Sequence, residues 1–340
     1  MFIRSFFLTV ALLCVDIVLA TDSDAPEISA TAATLQKANA ARRNADYKDA
    51  YALYKTLAEQ GNARAEAKIG TMYALGELGK RDMAEAIAHY DKAAEAGDGY
   101  AQFRLGRAFL HGVGVKKDAA EAEKWFVQAE KSLRQAALHQ DAEAQYLLGV
   151  TYRDGLGVEK NRKEGGKWLK KAAEKGHPFA QYEFGNFLYE EKKDMAGQLA
   201  WWEKAAAQED SRAQFDLANA YAGGLYGVSK DREKAGEWYR RALSMLEKAA
   251  QQGVVNAQTN LGERYLRGRD VTADPEKARE WLEKSAAQGH LAAQILLGFA
   301  YLRGEGLPAD PEKARLWLEK AAAQGDETAQ MLLKDLPPAK

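Results

Sequence analysis

The residues of this chain best suited to hold a metal or move a proton are five histidines, His89, His111, His139, His177 and His290. Zinc needs ligands that converge on one point, and neighbours on a helix do so three or four positions apart. No two of these histidines have that spacing, and the single cysteine, Cys14, cannot complete a site with them. The runs GVGV (112–115) and GLGV (155–158) invite a phosphate-loop reading. Neither continues into the glycines or the Lys-Ser/Thr pair that a nucleotide loop needs, and both follow a helical pattern instead of a strand. They read as turns. No Gly-x-Ser-x-Gly elbow occurs, and the carboxylates are spread along helix surfaces beside Lys and Arg. No catalytic residue, metal site or cofactor is nominated, and the chain is not expected to be an enzyme.

What the sequence does contain is repetition. ADPEKAREWLEKSAAQGHLAAQ (273–294) returns as ADPEKARLWLEKAAAQGDETAQ (309–330). A pattern Ala-Gln-x-x-Leu-Gly-x-x-Tyr runs through the chain, with its first Ala at 65, 101, 144, 180, 213, 257, 293 and 329. Periods of this size mark solenoids, in which each unit buries its apolar face only against its neighbours. Each unit reads as two helices. Ala257, Leu261, Gly262 and Tyr265 share one helical face, and Gly268 makes the turn. Asp274 caps the second helix with Pro275 at its first position, and Gly289 supplies the left-handed stop. Trp125, Trp168, Trp201, Trp238, Trp281 and Trp317 hold one equivalent position, with Trp202 left over. His89 stands at that same position, so it is expected to pack. The units containing Trp125 and Trp238 are seven residues longer between this Trp and the next motif, about two helical turns, so their second helices are expected to lengthen in register.

These residues resemble the Sel-1-like repeat family, relatives of the tetratricopeptide repeats; AQTNLGERYLRGRDVTADPEKAREWLEKSAAQG (257–289) follows its pattern closely. The resemblance implies an all-α, right-handed α/α solenoid of about eight helix pairs. The repeat array is expected over 65–336, with units starting near 65, 101, 144, 180, 213, 257 and 293 and a capping helix near 329. A degenerate tetratricopeptide-like pair is expected over 32–64, with Leu53 at the Trp position, and 337–340 as a tail. Ala218 and Lys334 stand at the repeat Gly, Leu188 stands at the repeat Tyr, and the turn near 190–195 is three residues short.

The first twenty residues, MFIRSFFLTVALLCVDIVLA, carry Arg4, an apolar run and a Val18-Leu19-Ala20 ending. They read as a secretory signal over 1–20, followed by a flexible linker over 21–31. Cleavage after Ala20 would remove Cys14, leave no disulfide, and deliver the chain to the periplasm. The 48 basic and 49 acidic residues balance to a net charge of −1, which argues against nucleic acid or an anionic membrane as the main partner. The membrane is expected to be involved only indirectly, and the protein to be a monomer.

In the Sel-1-like family, the side of each first helix away from the repeat Gly lines the concave surface. The resemblance implies that partners bind there. Three residues before that Gly stand Phe103, Tyr146, Tyr182 and Phe215 in consecutive units, and Tyr100, Phe179 and Tyr189 are assigned to the same side, with Arg107 and Arg153 on its rim. Aromatics and arginines are the usual anchors of protein interfaces. These nine residues are the expected protein-binding site; the alternative is that the aromatics fill gaps between first helices. Exported Sel-1-like proteins resemble immunity proteins that neutralise antibacterial effectors, lipid-cleaving ones included. The expected role is therefore a periplasmic inhibitor of a secreted effector, with an envelope scaffold or regulatory adaptor as the alternative. Relatives once described as β-lactamase-like are disulfide-rich, unlike a mature chain without cysteine.

Overall fold

A computed structural model describes residues 24–268, 271–334 and 336, with side chains from residue 30 onward. The expected signal segment (1–20) and the tail (337–340) lie outside the described residues. Every regular element among them is an α-helix. The N-terminal pair is α1 (Asp24–Arg43) and α2 (Tyr47–Glu59). Seven units follow: α3 (Ala63–Leu75) with α4 (Met83–Glu95), α5 (Gly99–His111) with α6 (Ala119–Leu138), α7 (Ala142–Asp154) with α8 (Arg162–Glu174), and α9 (Pro178–Lys192) with α10 (Met195–Ala207). The last three are α11 (Ser211–Gly223) with α12 (Arg232–Gln251), α13 (Val255–Arg267) with α14 (Pro275–Ala287), and α15 (Leu291–Arg303) with α16 (Pro311–Ala323). α17 (Glu327–Lys334) closes the array. Residues 24–31, expected as linker, lie within helix α1.

Each motif residue has a physical task. Gly262 and Gly298 face Leu282 and Leu318, and a Cβ at either glycine would stand 2.7 and 2.6 Å from the leucine side chain. The residue after the Trp is therefore the one seated on the repeat Gly. In the fourth unit that residue is Trp202, 3% exposed against Gly185, with its indole N–H donating to Asn186 at 3.0 Å. Trp202 belongs to the repeat after all. The Trp proper carries a cation over its ring, Lys171 on Trp168, Lys204 on Trp201, Lys284 on Trp281 and Lys320 on Trp317, at 3.9–4.4 Å. α6 and α12 have 20 residues where the other second helices have 13, the in-register lengthening expected.

The motif glutamine has a task that spacing alone does not reveal. The side-chain amides of Gln102, Gln145, Gln181, Gln214, Gln258 and Gln294 each donate to the carbonyl eight residues earlier, in the last turn of the preceding second helix. They satisfy a helix-end acceptor that burial would otherwise leave unpaired. The glutamines of AAQG form a second rung. Gln288 donates to Gln258 and to the Gly253 carbonyl, and Gln324 to Gln294 and the Gly289 carbonyl.

First helices of neighbouring units touch, α3 with α5, α5 with α7 and α13 with α15, which places them on the inside of the curve. The curve returns on itself. The Arg81 amide donates to Gln288 Oε1 at 2.9 Å, Lys248 reaches Asp46 at 2.9 Å, and Gln252 donates to the Ala45 carbonyl at 2.8 Å. Tyr47, Tyr54, Ile69 and Met72 share one apolar core with Leu246, Val254 and Leu261. The N-terminal pair and the first unit are thus clasped to the fifth and sixth units, some 200 residues away. In the short fourth unit α9 runs on to Lys192, Lys193 turns at φ +54°, and Asp194 caps α10.

Candidate functional site

Three of the nine expected interface residues are interior. Phe103 is 3% exposed and meets Phe126 edge-on at 5.8 Å. Phe215 is 7% exposed under the Arg264 guanidinium, 3.2 Å from the ring centroid. Tyr100 is 3% exposed, roofed by Lys68 at 4.0 Å, and its hydroxyl pairs with Thr71 at 2.8 Å. The reason is angular. At about 100° per residue, the position three before the repeat Gly lies only about 60° from it, beside the packing face and not opposite it. Phe103 and Phe215 fill the gap between helices. Tyr100 lies farther round, but the tight curve covers it with side chains of the first unit.

Five of the other six are linked by contacts along one edge. Phe179 is 46% exposed, and Tyr146, Tyr182, Tyr189 and Arg153 are half-buried. Tyr146 stacks on His177 with centroids 4.8 Å apart, and Phe179 lies against both, 6.1 Å from Tyr146 and 5.8 Å from His177. Arg212 covers Phe179 and Tyr182 at 5.1 and 4.4 Å. Behind Tyr182 the contacts continue through Trp202 and Tyr226 to Tyr189, with centroids 6.0, 5.3 and 5.6 Å apart. Exposed Arg107 makes no ion pair among the described residues.

Ion pairs hold this edge rigid. Arg212 is fixed by Asp210 at 2.9 Å and Glu183 at 3.1 Å, and Glu183 also takes Arg153 at 2.7 Å. The Tyr182 hydroxyl donates to Asp216 at 2.8 Å, joining the fourth unit to the fifth. Arg153, expected on the rim, is a tether between the third and fourth units. Burial, with Glu183 adding to it, pushes the Tyr146 phenol up to about 12, so it stays a neutral donor. Arg212, His177, Trp202 and Tyr226 were not anticipated. A sign was present for Arg212, since it stands one position before a motif Ala and one repeat away from Glu183.

His177 caps α9 by accepting the Ala180 amide on Nδ1 at 3.2 Å, which requires that nitrogen to be unprotonated. Burial lowers its pKa to about 4, and His290, whose Nδ1 lies 2.8 Å from Thr259 Oγ1, is lowered to about 4 by the same cause. A folded-state pKa below the unfolded value of about 6.5 means that the unfolded chain takes up protons first. Stability is therefore full above about pH 6.5 and is lost as pH falls toward about 4. We expect urea unfolding to show a loss of about 1 kcal/mol per histidine between pH 7 and pH 5, allowing for their partial exposure. His177→Asn, which keeps a capping acceptor, should remove its share. A pH profile identical in the two proteins would contradict this.

Elsewhere the histidines are dispersed. His89 is half-buried, stacked on Tyr73 at 5.4 Å and paired with Glu66 at 2.9 Å. Among the described residues no three His, Cys, Asp or Glu side chains gather as metal ligands, and no helix is long and apolar enough to cross a membrane. GVGV and GLGV lie in the α5–α6 and α7–α8 turns, with Gly112 and Gly155 as left-handed caps.

The Sel1 repeat model matches residues 41–62, 63–98, 99–131, 142–177, 199–210, 211–245, 240–254, 255–290 and 291–326. No curated protein matches the chain. Among solved structures, a Sel1 repeat protein from Oxalobacter formigenes is 28% identical, covering 91% of this chain and 90% of that one, with a TM-score of 0.45. A protective antigen of uropathogenic Escherichia coli strains with an SLR fold is 27% identical over 93% and 82%, TM-score 0.37. An immunity protein from Pseudomonas aeruginosa is 19% identical over 71% and 89%, TM-score 0.44. From the nine matched segments and the helix pairs they fall on, the chain belongs to the Sel1 repeat family.

Proposed function

We propose that this protein binds another protein through the first-helix edge of its second to fourth units, with Tyr146, Phe179, Tyr182 and Tyr189 as anchors, Arg107 at the rim and Arg153 holding the third and fourth units together beneath them. The observation that carries the reading is Phe179, a phenylalanine 46% exposed yet held between Tyr146, His177 and a doubly ion-paired Arg212. A fixed, solvent-facing aromatic costs little side-chain entropy when a partner covers it. The finer role we assign is that of an exported inhibitor of the immunity type, which neutralises one secreted antibacterial effector in the periplasm. The signal-like N-terminus supports the compartment, and the pre-organised edge supports one tight partner over many loose ones.

Capture with immobilised protein tests this. Tyr146→Ala/Tyr182→Ala, shown by thermal unfolding to be folded, should weaken the captured partner by about 1 kcal/mol per anchor, on the order of 30-fold together. Unchanged affinity would remove the edge from the site. Several weakly held envelope proteins in place of one tight partner would replace the inhibitor with a scaffold.

A further inference from the structure

A second surface lies on the outer side of the array, where the second helices α8 and α10 flank α9. In α8 the charge pattern of the repeat is reversed. Lys163, Lys167 and Lys170 stand where α14 carries Glu276, Glu280 and Glu283, and Gly166 stands in the place of Arg279. The glycine has a steric cause, because a Cβ there would overlap the Phe187 ring. With that side chain absent, Phe187 lies on α8 and stacks on Phe184 at 6.1 Å, and Trp201 meets Phe184 edge-on at 5.5 Å. Phe184, Phe187, Leu188 and Trp201 floor a groove of about 450 Å³, rimmed by Lys163, Lys167, Lys170 and Lys192.

The rim is positive in balance. Lys167 and Lys170 share Glu164 and Glu174 on their own helix at 2.9 and 3.6 Å. Arg162 pairs with the nearby Glu190 and Glu191, neither of which lines the groove. Lys163 and Lys192 are exposed and have no ion pair among the described residues. An apolar floor with unpaired cations above it lacks an apolar side chain and carboxylates, supplied together. We propose that this groove binds an acidic segment of a partner protein, whose apolar side chain enters between α8 and α10 while flanking carboxylates meet Lys163 and Lys192. A groove of this volume, floored by Phe184, Phe187, Leu188 and Trp201 with lysines of α8 and α9 around it, matches an apolar side chain flanked by carboxylates, so a peptide segment is the occupant its charge and lining favour. This surface is distinct from the first-helix edge, and its test does not depend on that site.

The probe is a fluorescein-labelled octapeptide with a central Leu-Phe pair and three carboxylate residues on each side, followed by fluorescence anisotropy. The wild-type protein should bind it more weakly as salt rises from 50 to 300 mM. Lys163→Glu/Lys192→Glu, both exposed and so neutral to folding, should weaken it about tenfold, as should replacing the carboxylates of the peptide by amides. Phe187→Ala, checked by thermal unfolding, should weaken it through the floor. Acetylation of Lys163 and Lys192, but not of Lys55, should be slowed by bound peptide. The proposal is overturned if the wild type does not bind the peptide or if the lysine variant binds it equally well. It is also overturned if phosphatidylglycerol vesicles engage these lysines while the peptide does not.

Discussion

Replacing Arg42 with alanine is expected to cost about 3–5 kcal/mol of stability in urea unfolding at neutral pH. Arg42 Nε and Nη2 donate to Glu77 Oε2 and Oε1 at 2.7 and 2.8 Å, a two-bond fork between α1 and the α3–α4 turn. Glu77 is 7% exposed. Without the guanidinium its carboxylate remains in the interior with no cation, and that uncompensated charge is the main loss. Arg42→Ala/Glu77→Gln should therefore recover a large part of the stability. The consequence reaches across the ring. Ala45 and Asp46, just beyond α1, receive Gln252, which caps α12, and Lys248 within it, so loosening α1 should also speed hydrogen exchange at the clasp. A loss below about 1 kcal/mol would mean that the fork behaves as a surface pair.

Glu143→Ala should be comparably damaging, about 3–5 kcal/mol, for the converse reason. Glu143 of the third unit receives Lys68 and, at 3.2 Å, Arg64 from the first unit, so it ties two turns of the inner layer. Arg64 keeps Asp98 at 2.7 Å and Asp141 at 3.6 Å, but Lys68, with its side chain only 6% exposed, loses its carboxylate partner. A buried ammonium without an anion is the result. The double change Lys68→Met/Glu143→Leu leaves no orphan charge and should restore most of the loss. Burial works against the Glu143 carboxylate, yet Lys68 and Arg64 outweigh it and hold its pKa well below the usual range. A depressed folded value gives stability that is present above about 4.5 and lost as pH falls below it. Acid unfolding of Glu143→Ala should lack that component.

The local structure could be read from the chain because its causes are local. Asp274 and Pro275 open α14, Gly268 and Gly289 close helices, and seven extra residues become two added turns in α6 and α12. The ring closure could not be read this way. It depends on small rotations summed over several units, and the residues that complete it, Arg81, Gln252 and Gln288, look like ordinary turn and motif residues. The site was legible in part. Phe179, about 120° round from the repeat Gly, stands exposed, whereas Phe103 and Phe215 sit too close to that position to escape packing. Tyr146 and Tyr182 share the same angular position. They remain half-buried, Tyr146 stacked on His177 and Tyr182 under Arg212.

The central claim is that a partner protein covers the first-helix edge at Phe179. Site-specific photocrosslinking tests it most directly, with a benzophenone amino acid at position 179 and, in a separate protein, at exposed Val127 on the outer face of α6. A crosslinked partner is expected from position 179, lost on adding Tyr146→Ala/Tyr182→Ala, and none from position 127. Crosslinking from position 127 with none from position 179 would contradict it.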